Sequence, residues 1–434
     1  MTSRTPLHRC QFIPPYLMER LQPDKLHHDD DFRSARAAGP HPIRESVARG
    51  AAAWVVHTCH NSATLPGDVV RSAGQAASGD AAVDEAADGI TGSLALFSEV
   101  YGRDSYDGAG ASVSLSVHYE QGYDNAYWDG TQLVFGDGDG EIFDRFTKPV
   151  DVLGHEFTHA VTERTAGLTY SGQSGALNES VSDVFGSCLK QRLLGQTVDQ
   201  ADWLIGADLF LPGVQGRALR DMRNPGTAYD DPRLGKDPQA ADMSGYVDTT
   251  DDNGGVHTNS GIPNRAFALA ALAIGGHSWE GAGRIWFDAL TSGIGPDTDF
   301  AGFAAATVAA AGDQADAVRQ AWETVGVTPA ASAAAGGAAT GAGASTSGSQ
   351  VRVRRSGGFT GRTVEGAVDL DADDDRAGEL RDLVGRVDVA ALPQEQAPQP
   401  DRYVYDFDLC GSTCRLPEQH LTTELQRIAD LVLR

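Results

Sequence analysis

Positive charge is scarce in this 434-residue chain: 34 lysines and arginines stand against 60 aspartates and glutamates, a formal net charge of −26. That balance excludes the basic surface a phosphate backbone demands, so nucleic acid is not an expected partner. It favours solubility and says little about substrate. Cysteine is scarce too. The five present, Cys10, Cys59, Cys188, Cys410 and Cys414, are odd in number and widely spaced, which excludes a disulfide framework. Cys410 and Cys414 can pair with each other or stand as two small thiols. No apolar run approaches about 18 residues, so no membrane span is expected. The opening MTSRTPLHRCQFIPPYLMERL has no apolar core of the signal-peptide kind. The expected location is the cytoplasm, or the outside by a route without a recognisable signal.

What is there is ordinary globular composition, 41% hydrophobic and 22% charged. One stretch organises it: Asp151-Val152-Leu153-Gly154-His155-Glu156-Phe157-Thr158-His159. Four residues is slightly more than one helical turn, so His155 and His159 share a helix face and can hold one Zn²⁺ between them. Glu156, next to the first imidazole, can reach a water at the metal without ligating it, the H-E-x-x-H arrangement of a peptidase general base. Downstream, Asn178-Glu179-Ser180-Val181-Ser182-Asp183 brings a carboxylate after a loop through Ala166-Gly167-Leu168. Glu179 can complete a His₂Glu site with its fourth position open, as catalytic zinc requires. Asp183, one turn on, can take the distal N–H of a ligand histidine.

The segments GHEFTHAVTERTAGLTYSGQSGALNESVSDVFG (154–186) and DNGGVHTNSGIPNRAF (252–267) closely resemble thermolysin-like zinc metallopeptidases, over about residues 51–328. The resemblance implies an α+β fold of two lobes, a β-rich lobe (51–183) and a helical lobe (184–328), with the active site between. It implies that Tyr170 and His257 donate hydrogen bonds to the oxyanion, that Asp252 orients and charges His257, and that Arg220 holds a substrate carbonyl. Asn125 and Ala126 match an edge strand that binds the substrate backbone. Phe143, Phe146, Val152, Ile205 and Leu219 match an apolar pocket for the residue after the scissile bond. The family's paired calcium site is expected to be absent. Lys190, Leu204 and Ala207 replace three of its ligands, leaving only Asp151 and Asp202, which the Lys190 ammonium can bridge. The Gly136-Asp137-Gly138-Asp139-Gly140 run is read as a turn, because Ile142 stands where a calcium loop needs glycine.

Residues 1–50 contain Phe12-Ile13-Pro14-Pro15-Tyr16-Leu17, similar to the short prosegments of the protealysin subgroup. Such a stiff strip can lie in the cleft at small entropic cost and keep the enzyme latent. Cys10 beside it is a candidate thiolate ligand or an incidental thiol, and removal is expected near residues 45–53. Residues 329–350 are almost all Ala, Gly, Ser and Thr and read as a flexible linker. Beyond it, VRVRRSGGFTG, PDRYVYDF and LPEQHLTTELQRIADLVL resemble emfourin-type inhibitors of protealysin-like peptidases. Strands are expected near 351–353 and 403–407, and a helix over 418–433. Residues 351–434 then form a small α+β inhibitor domain tethered to its target. The partners implied are peptide or protein substrates, with the prosegment and the C-terminal domain acting within the chain. The alternative is a regulatory or binding protein whose C-terminal domain inhibits or recruits other peptidases or substrates.

Overall fold

The computed structural model describes residues 11–21, 53–330, 350–357, 364–370, 376–384, 386–387, 403–410 and 412–433. The chain forms two compact units, residues 1–334 and 335–434.

In the first unit a short helix, α1 (Pro15–Leu21), begins at Pro15, where a missing N–H costs a helix nothing. A five-stranded sheet follows, built from β1 (Trp54–Ser62), β2 (Asp68–Ser72), β3 (Val113–Tyr119), β4 (Ala126–Trp128) and β5 (Gln132–Phe135). Its order is β2-β1-β3-β5-β4. β1, β3 and β5 are parallel, while β2 and β4 run antiparallel at the two edges. Helix α2 (Ala81–Ala95) turns Val83, Ala86, Ala87 and Ile90 into the core, and Asp80 caps its first amides. A single helix from Ala82 to Tyr101 is expected from the apolar spacing. Instead the coil widens into a π-turn at Leu96–Val100. There Phe97 packs against Phe157, Phe185 and Phe287, at ring distances of 5.4–6.1 Å.

Two helices carry the centre of this unit, α3 (Val150–Glu163) and α4 (Gly172–Leu194). Residues 151–162 of α3 are all buried. The helices approach closely because glycines face each other: a Cβ on Gly154 would sit 3.0 Å from the Gly186 Cα, and one on Gly186 would sit 2.5 Å from the Asp151 carbonyl oxygen. α4 runs unbroken past residue 183, so the lobe boundary expected between 183 and 184 falls inside one helix. The break in chain direction is the loop between α3 and α4. Two small ribbons follow, β6 (Leu204–Ile205) with β7 (Arg220–Asp221) and β8 (Asp230–Asp231) with β9 (Gly235–Lys236). The helical lobe is completed by α5 (Asp252–Asn259), α6 (Gly261–Ile274), α7 (Ala282–Leu290), α8 (Phe300–Ala310) and α9 (Ala315–Thr324). Gly275, at φ 80°, ends α6 as its sequence suggests.

The second unit is an antiparallel four-stranded sheet of order β11-β10-β12-β13, from β10 (Gln350–Gly357), β11 (Val364–Asp369), β12 (Tyr403–Leu409) and β13 (Ser412–Pro417), with helices α10 (Ala377–Val384) and α11 (Thr423–Val432). Val351 and Val353 are buried and Arg352 and Arg354 exposed, the alternation of a sheet with one covered face. Leu380, Phe407, Leu425, Ile428 and Leu431 close its core. The helix expected from Glu418 starts only at Thr423. A 3₁₀ turn occupies Glu418–His420, and the Thr422 hydroxyl caps the Leu425 amide at 3.3 Å. Cys410 and Cys414 are not joined to each other by a disulfide. Cys10 lies outside the described residues, as does most of Asp369-Leu370-Asp371-Ala372-Asp373-Asp374-Asp375, an acidic stretch whose sequence reads as a solvated loop. Among the described residues, no helix is long and apolar enough to cross a membrane.

Candidate active site

The helical period does the first assembly step. On α3, His155 and His159 are four residues apart, and their Nε2 atoms converge to 2.9 Å. On α4, Glu179 and Asp183 are also four apart, so both carboxylates face α3. Glu179 lies 3.5 Å from His155 Nε2 and 3.7 Å from His159 Nε2. The three side chains are buried, and their candidate ligand atoms all lie within 4.8 Å of one another.

The far ring nitrogens decide what the near ones can do. His155 Nδ1 is 2.8 Å from Asp183 Oδ1, and His159 Nδ1 is 2.8 Å from Asn178 Oδ1. The Asn178 amide donates in turn to the Leu168 carbonyl, which fixes its oxygen toward His159. Both Nδ1 atoms therefore carry the proton, and both Nε2 lone pairs point into one small space beside a carboxylate. Three electron-pair donors gathered in one space suit a cation, and a His₂Glu set suits zinc. Burial, and then His155, push His159 down to about 3. Burial would raise Glu179, but His257, His155 and His159 outweigh it and hold it near 2.

Asp183 is the hub behind the ligands. Besides His155 it accepts from Arg220 Nε and Nη2, at 2.8 and 2.7 Å, and from Asn264 Nδ2 at 2.8 Å. Burial opposes its charge, but Arg220 and His155 hold it ionised, well below the usual carboxylate range. Glu156 contrasts with it. Both its oxygens are buried and make no hydrogen bond of ordinary geometry. Burial first, and then the Glu179 charge, raise its pKa well above normal, with the Trp128 amide offsetting part of the effect.

Across the cleft, α5 brings in His257. Its Nδ1 is 2.7 Å from Asp252 Oδ1, and Asp252 also accepts the His257 amide at 2.9 Å. Burial would lower this imidazole, but Asp252 and then Glu179 raise it to about 9. The Tyr170 hydroxyl donates to Glu179 Oε1 and lies 3.3 Å from His257 Nε2. Tyr170, His257 and Asp252 thus meet the metal-ligand set at one place.

The substrate-binding candidates surround a piece of the chain itself. β4 is a sheet edge, and residues 11–13 dock on its first residue and on the Asn125 side chain before it. The Phe12 amide donates to Ala126 O at 3.1 Å, the Ile13 amide to Asn125 Oδ1 at 2.8 Å, and Asn125 Nδ2 to Ile13 O at 3.4 Å. Arg220 Nη1 donates to Phe12 O at 3.2 Å, and the guanidinium lies 4.5 Å from the Phe12 ring centre. That ring also meets the His155 ring at 5.2 Å and Phe146 at 6.5 Å. Phe143, Phe146, Val152, Ile205 and Leu219 are all buried. Phe143 packs on Phe146 at 5.8 Å, Val152 precedes His155 by one turn, and Ile205 pairs with Arg220 across β6 and β7.

Below the site, Lys190 Nζ reaches Asp151 Oδ2 at 3.2 Å, Asp202 Oδ1 at 2.9 Å and Leu204 O at 2.7 Å. The 136–140 run is closed as a turn, with Asp139 Oδ1 accepting the amides of Glu141, Ile142 and Phe143. Sequence reasoning missed Asn178, Ser182 and Asn264. Asn178 and Ser182 were findable, since they are four residues apart on α4 and both reach His159 Nδ1. Asn264 comes from another helix, and no spacing announces it.

Comparison with known proteins fits this geometry. Residues 46–163 match the family described as "Thermolysin metallopeptidase, catalytic domain", residues 166–327 its "alpha-helical domain", and residues 353–433 "Emfourin". An extracellular metalloprotease of Pectobacterium carotovorum subsp. carotovorum is 50% identical over 335 residues, 73% of this chain and 96% of the relative. Protease PrtS of Photorhabdus sp. (strain Az29) is 45% identical over 280 residues, 63% of this chain and 76% of the relative. The solved precursor of protealysin, a metalloproteinase from Serratia proteamaculans, superposes with a TM-score of 0.66 at 48% identity, covering 74% of this chain and all of that one.

Proposed function

The chain belongs to the thermolysin family of metallopeptidases and carries an emfourin domain, and from that premise we propose a zinc endopeptidase that is made latent and cuts on the N-terminal side of hydrophobic residues. The observation that carries the reading is the convergence of His155, His159 and Glu179 beside Glu156, with a peptide lying along the adjacent edge strand. His155, His159 and Glu179 would hold the metal, with Asp183 and Asn178 fixing the two imidazoles. Zinc there supplies a Lewis acid that polarises the carbonyl and makes water a better nucleophile. Glu156 takes the proton of the attacking water and passes it to the leaving nitrogen. Its two oxygens are buried and make no other hydrogen bond of ordinary geometry, which leaves them to accept and release that proton. His257, charged through Asp252, and Tyr170 donate to the carbonyl oxygen as charge develops on it. Asn125, Ala126 and Arg220 grip the backbone, and Phe143, Phe146, Val152, Ile205 and Leu219 take the side chain that follows the cut bond.

Residues 1–50 keep the enzyme latent, because residues 11–13 fill the groups a substrate would use, and are removed near 45–53. Residues 351–434 inhibit as a tethered domain. The 329–350 linker gives an effective concentration of about mM, enough for a weak inhibitor to act. Action outside the cell follows the name of the Pectobacterium relative. The test compares the full chain with one ending near Ala333 on casein, with and without o-phenanthroline, each followed by intact mass. Chelator-sensitive activity that rises without the tail is expected. Equal activity would make the tail a binding module. No activity in either, with zinc bound and the prosegment gone, would favour a regulatory protein.

A further inference from the structure

The segment in the cleft is not merely present; it is registered. One of its carbonyls, Gln11 O, lies 2.9 Å from His257 Nε2, the nitrogen that also lies 3.3 Å from the Tyr170 hydroxyl and 3.6 Å from Glu179 Oε1. The next amide, Phe12 N–H, is held by Ala126 O, and the next carbonyl, Phe12 O, by Arg220. The following residue is clamped on both sides by Asn125. Phe12 alone of the segment turns its ring toward the metal-ligand helix, edge-on to His155. The ring also lies over Gly206, with room between them for ordinary van der Waals contact only. Beyond Ile13 the extended contact stops, because Pro14 O receives the Leu17 and Met18 amides of α1 and turns the chain away. Every polar group from Gln11 O to Ile13 O is therefore paired in one register, and it places a single peptide bond across the site.

We propose that the Gln11–Phe12 bond is itself a substrate of this site, hydrolysed within the molecule before the rest of the prosegment leaves. The inference rests on the peptidase reading above. The balance is simple hydrolysis. Glu156 accepts a proton from water as the water oxygen bonds to the Gln11 carbonyl carbon. His257 and Tyr170 hold the carbonyl oxygen. The carbon–nitrogen bond breaks, the proton held by Glu156 goes to the Phe12 nitrogen, and the second proton of the attacking water follows it by way of Glu156. The products are a Gln11 carboxylate and a Phe12 ammonium. Phe12 to Leu21 keeps its contacts with Arg220, Asn125 and Ala126 after the cut, so the first cleavage leaves the cleft filled by its own product. Release of activity needs a later event.

The test incubates the zinc-loaded full chain and follows intact mass and N-terminal sequence. A new N-terminus at Phe12 is expected to precede any near residues 45–53, at a rate that does not change on tenfold dilution. Phe12→Gly, which empties the pocket, should slow this cut at least ~100-fold. A readout independent of turnover uses Glu156→Gln, in which hydrogen exchange at the Phe12 and Ile13 amides should be slow, and fast once Phe12→Gly is added. Casein cleavage with the Gln11–Phe12 bond intact in the released prosegment overturns the inference and leaves the peptidase reading standing. So does fast exchange in Glu156→Gln. Absence of chelator-sensitive hydrolysis of both casein and the chain overturns the two together.

Discussion

Asp151 and His155 are one turn apart on α3, yet the clusters around them meet the same electrostatic problem in opposite ways. At His155 two imidazole lone pairs and the Glu179 carboxylate converge, and the nearest side-chain cation, His257, meets Glu179 from the cleft side only, 3.6 Å from Oε1. Between the two lone pairs and the carboxylate, a further positive charge has to come from outside. At Asp151 the charge is built in: α4 extends Lys190 to two carboxylates and a carbonyl, in a pocket where Asp151 is wholly buried. A covalently attached ammonium needs no uptake and cannot be exchanged, so it serves structure. A site that must leave room for water and a peptide carbonyl cannot be filled that way. The same two helices therefore carry one cluster closed by sequence and one left open for chemistry.

The largest effects should come from the open cluster. Glu156→Gln is expected to lower casein hydrolysis by about 10³-fold, within the usual range for a general base, with metal content by atomic absorption unchanged. Loss of metal in that variant would move Glu156 from proton transfer to metal holding. His257→Ala should cost about 10²-fold in kcat, also with metal retained, since His257 faces the carbonyl oxygen. If its KM rose and kcat held, the imidazole would be a binding group instead.

The closed cluster should fail in stability rather than in rate. Lys190→Met leaves Asp151 buried beside Asp202 with no counter-ion, at a cost of about 3 kcal/mol, read from urea unfolding. Millimolar Ca²⁺ should restore part of that loss in the variant and leave the native chain unmoved, because the native cation already occupies the place. A native midpoint that rises with Ca²⁺, or falls with EGTA, would show that Lys190 is no substitute for a metal. Zinc content and casein activity per folded molecule should be the same in both proteins, which keeps the two clusters distinct.

Much of the open cluster was legible because it depends on period. The steps His155 to His159 and Glu179 to Asp183 are each one helical turn, and a reader of spacing finds them. The Lys190 substitution was legible for a related reason, since a cation stands among positions otherwise expected to be acidic. What could not be read is whatever depends on how helices meet. Nothing local in the sequence announces that Gly154 and Gly186 face each other, that Asn264 reaches Asp183 from a third helix, or that the coil after Ala95 widens to seat Phe97. The apolar strip at 12–17 was visible, but its register was not. Which carbonyl reaches His257 is set by where Pro14 turns the chain, a tertiary fact. In the second unit the start of the closing helix was misjudged because Glu418 to Leu433 has helical spacing throughout, while the Thr422 cap decides where the helix starts.

A third cluster lies between the two extremes and gives the smallest, sharpest test. His118 places Nδ1 2.7 Å from Asp137 and Nε2 3.1 Å from Asp80, the residue that caps α2. This cation belongs to the chain, but pH can remove it. The Asp137 hydrogen bond, against burial, raises the pKa of His118 above the usual 6.5 of an imidazole. A raised pKa in the folded state means that the stabilisation is fully present below pH 6.5 and is lost as pH rises through the raised value. The side chain is part-exposed, so the whole effect should stay below about 1 kcal/mol. His118→Gln keeps a donor and removes the titration. It also carries whatever strain the position imposes at φ 53°, but that strain does not depend on pH. The difference in urea midpoint between native chain and variant should therefore shrink from pH 6 to pH 9, and a difference that stays flat would mean the imidazole is neutral throughout and the Asp80 cap stands without it.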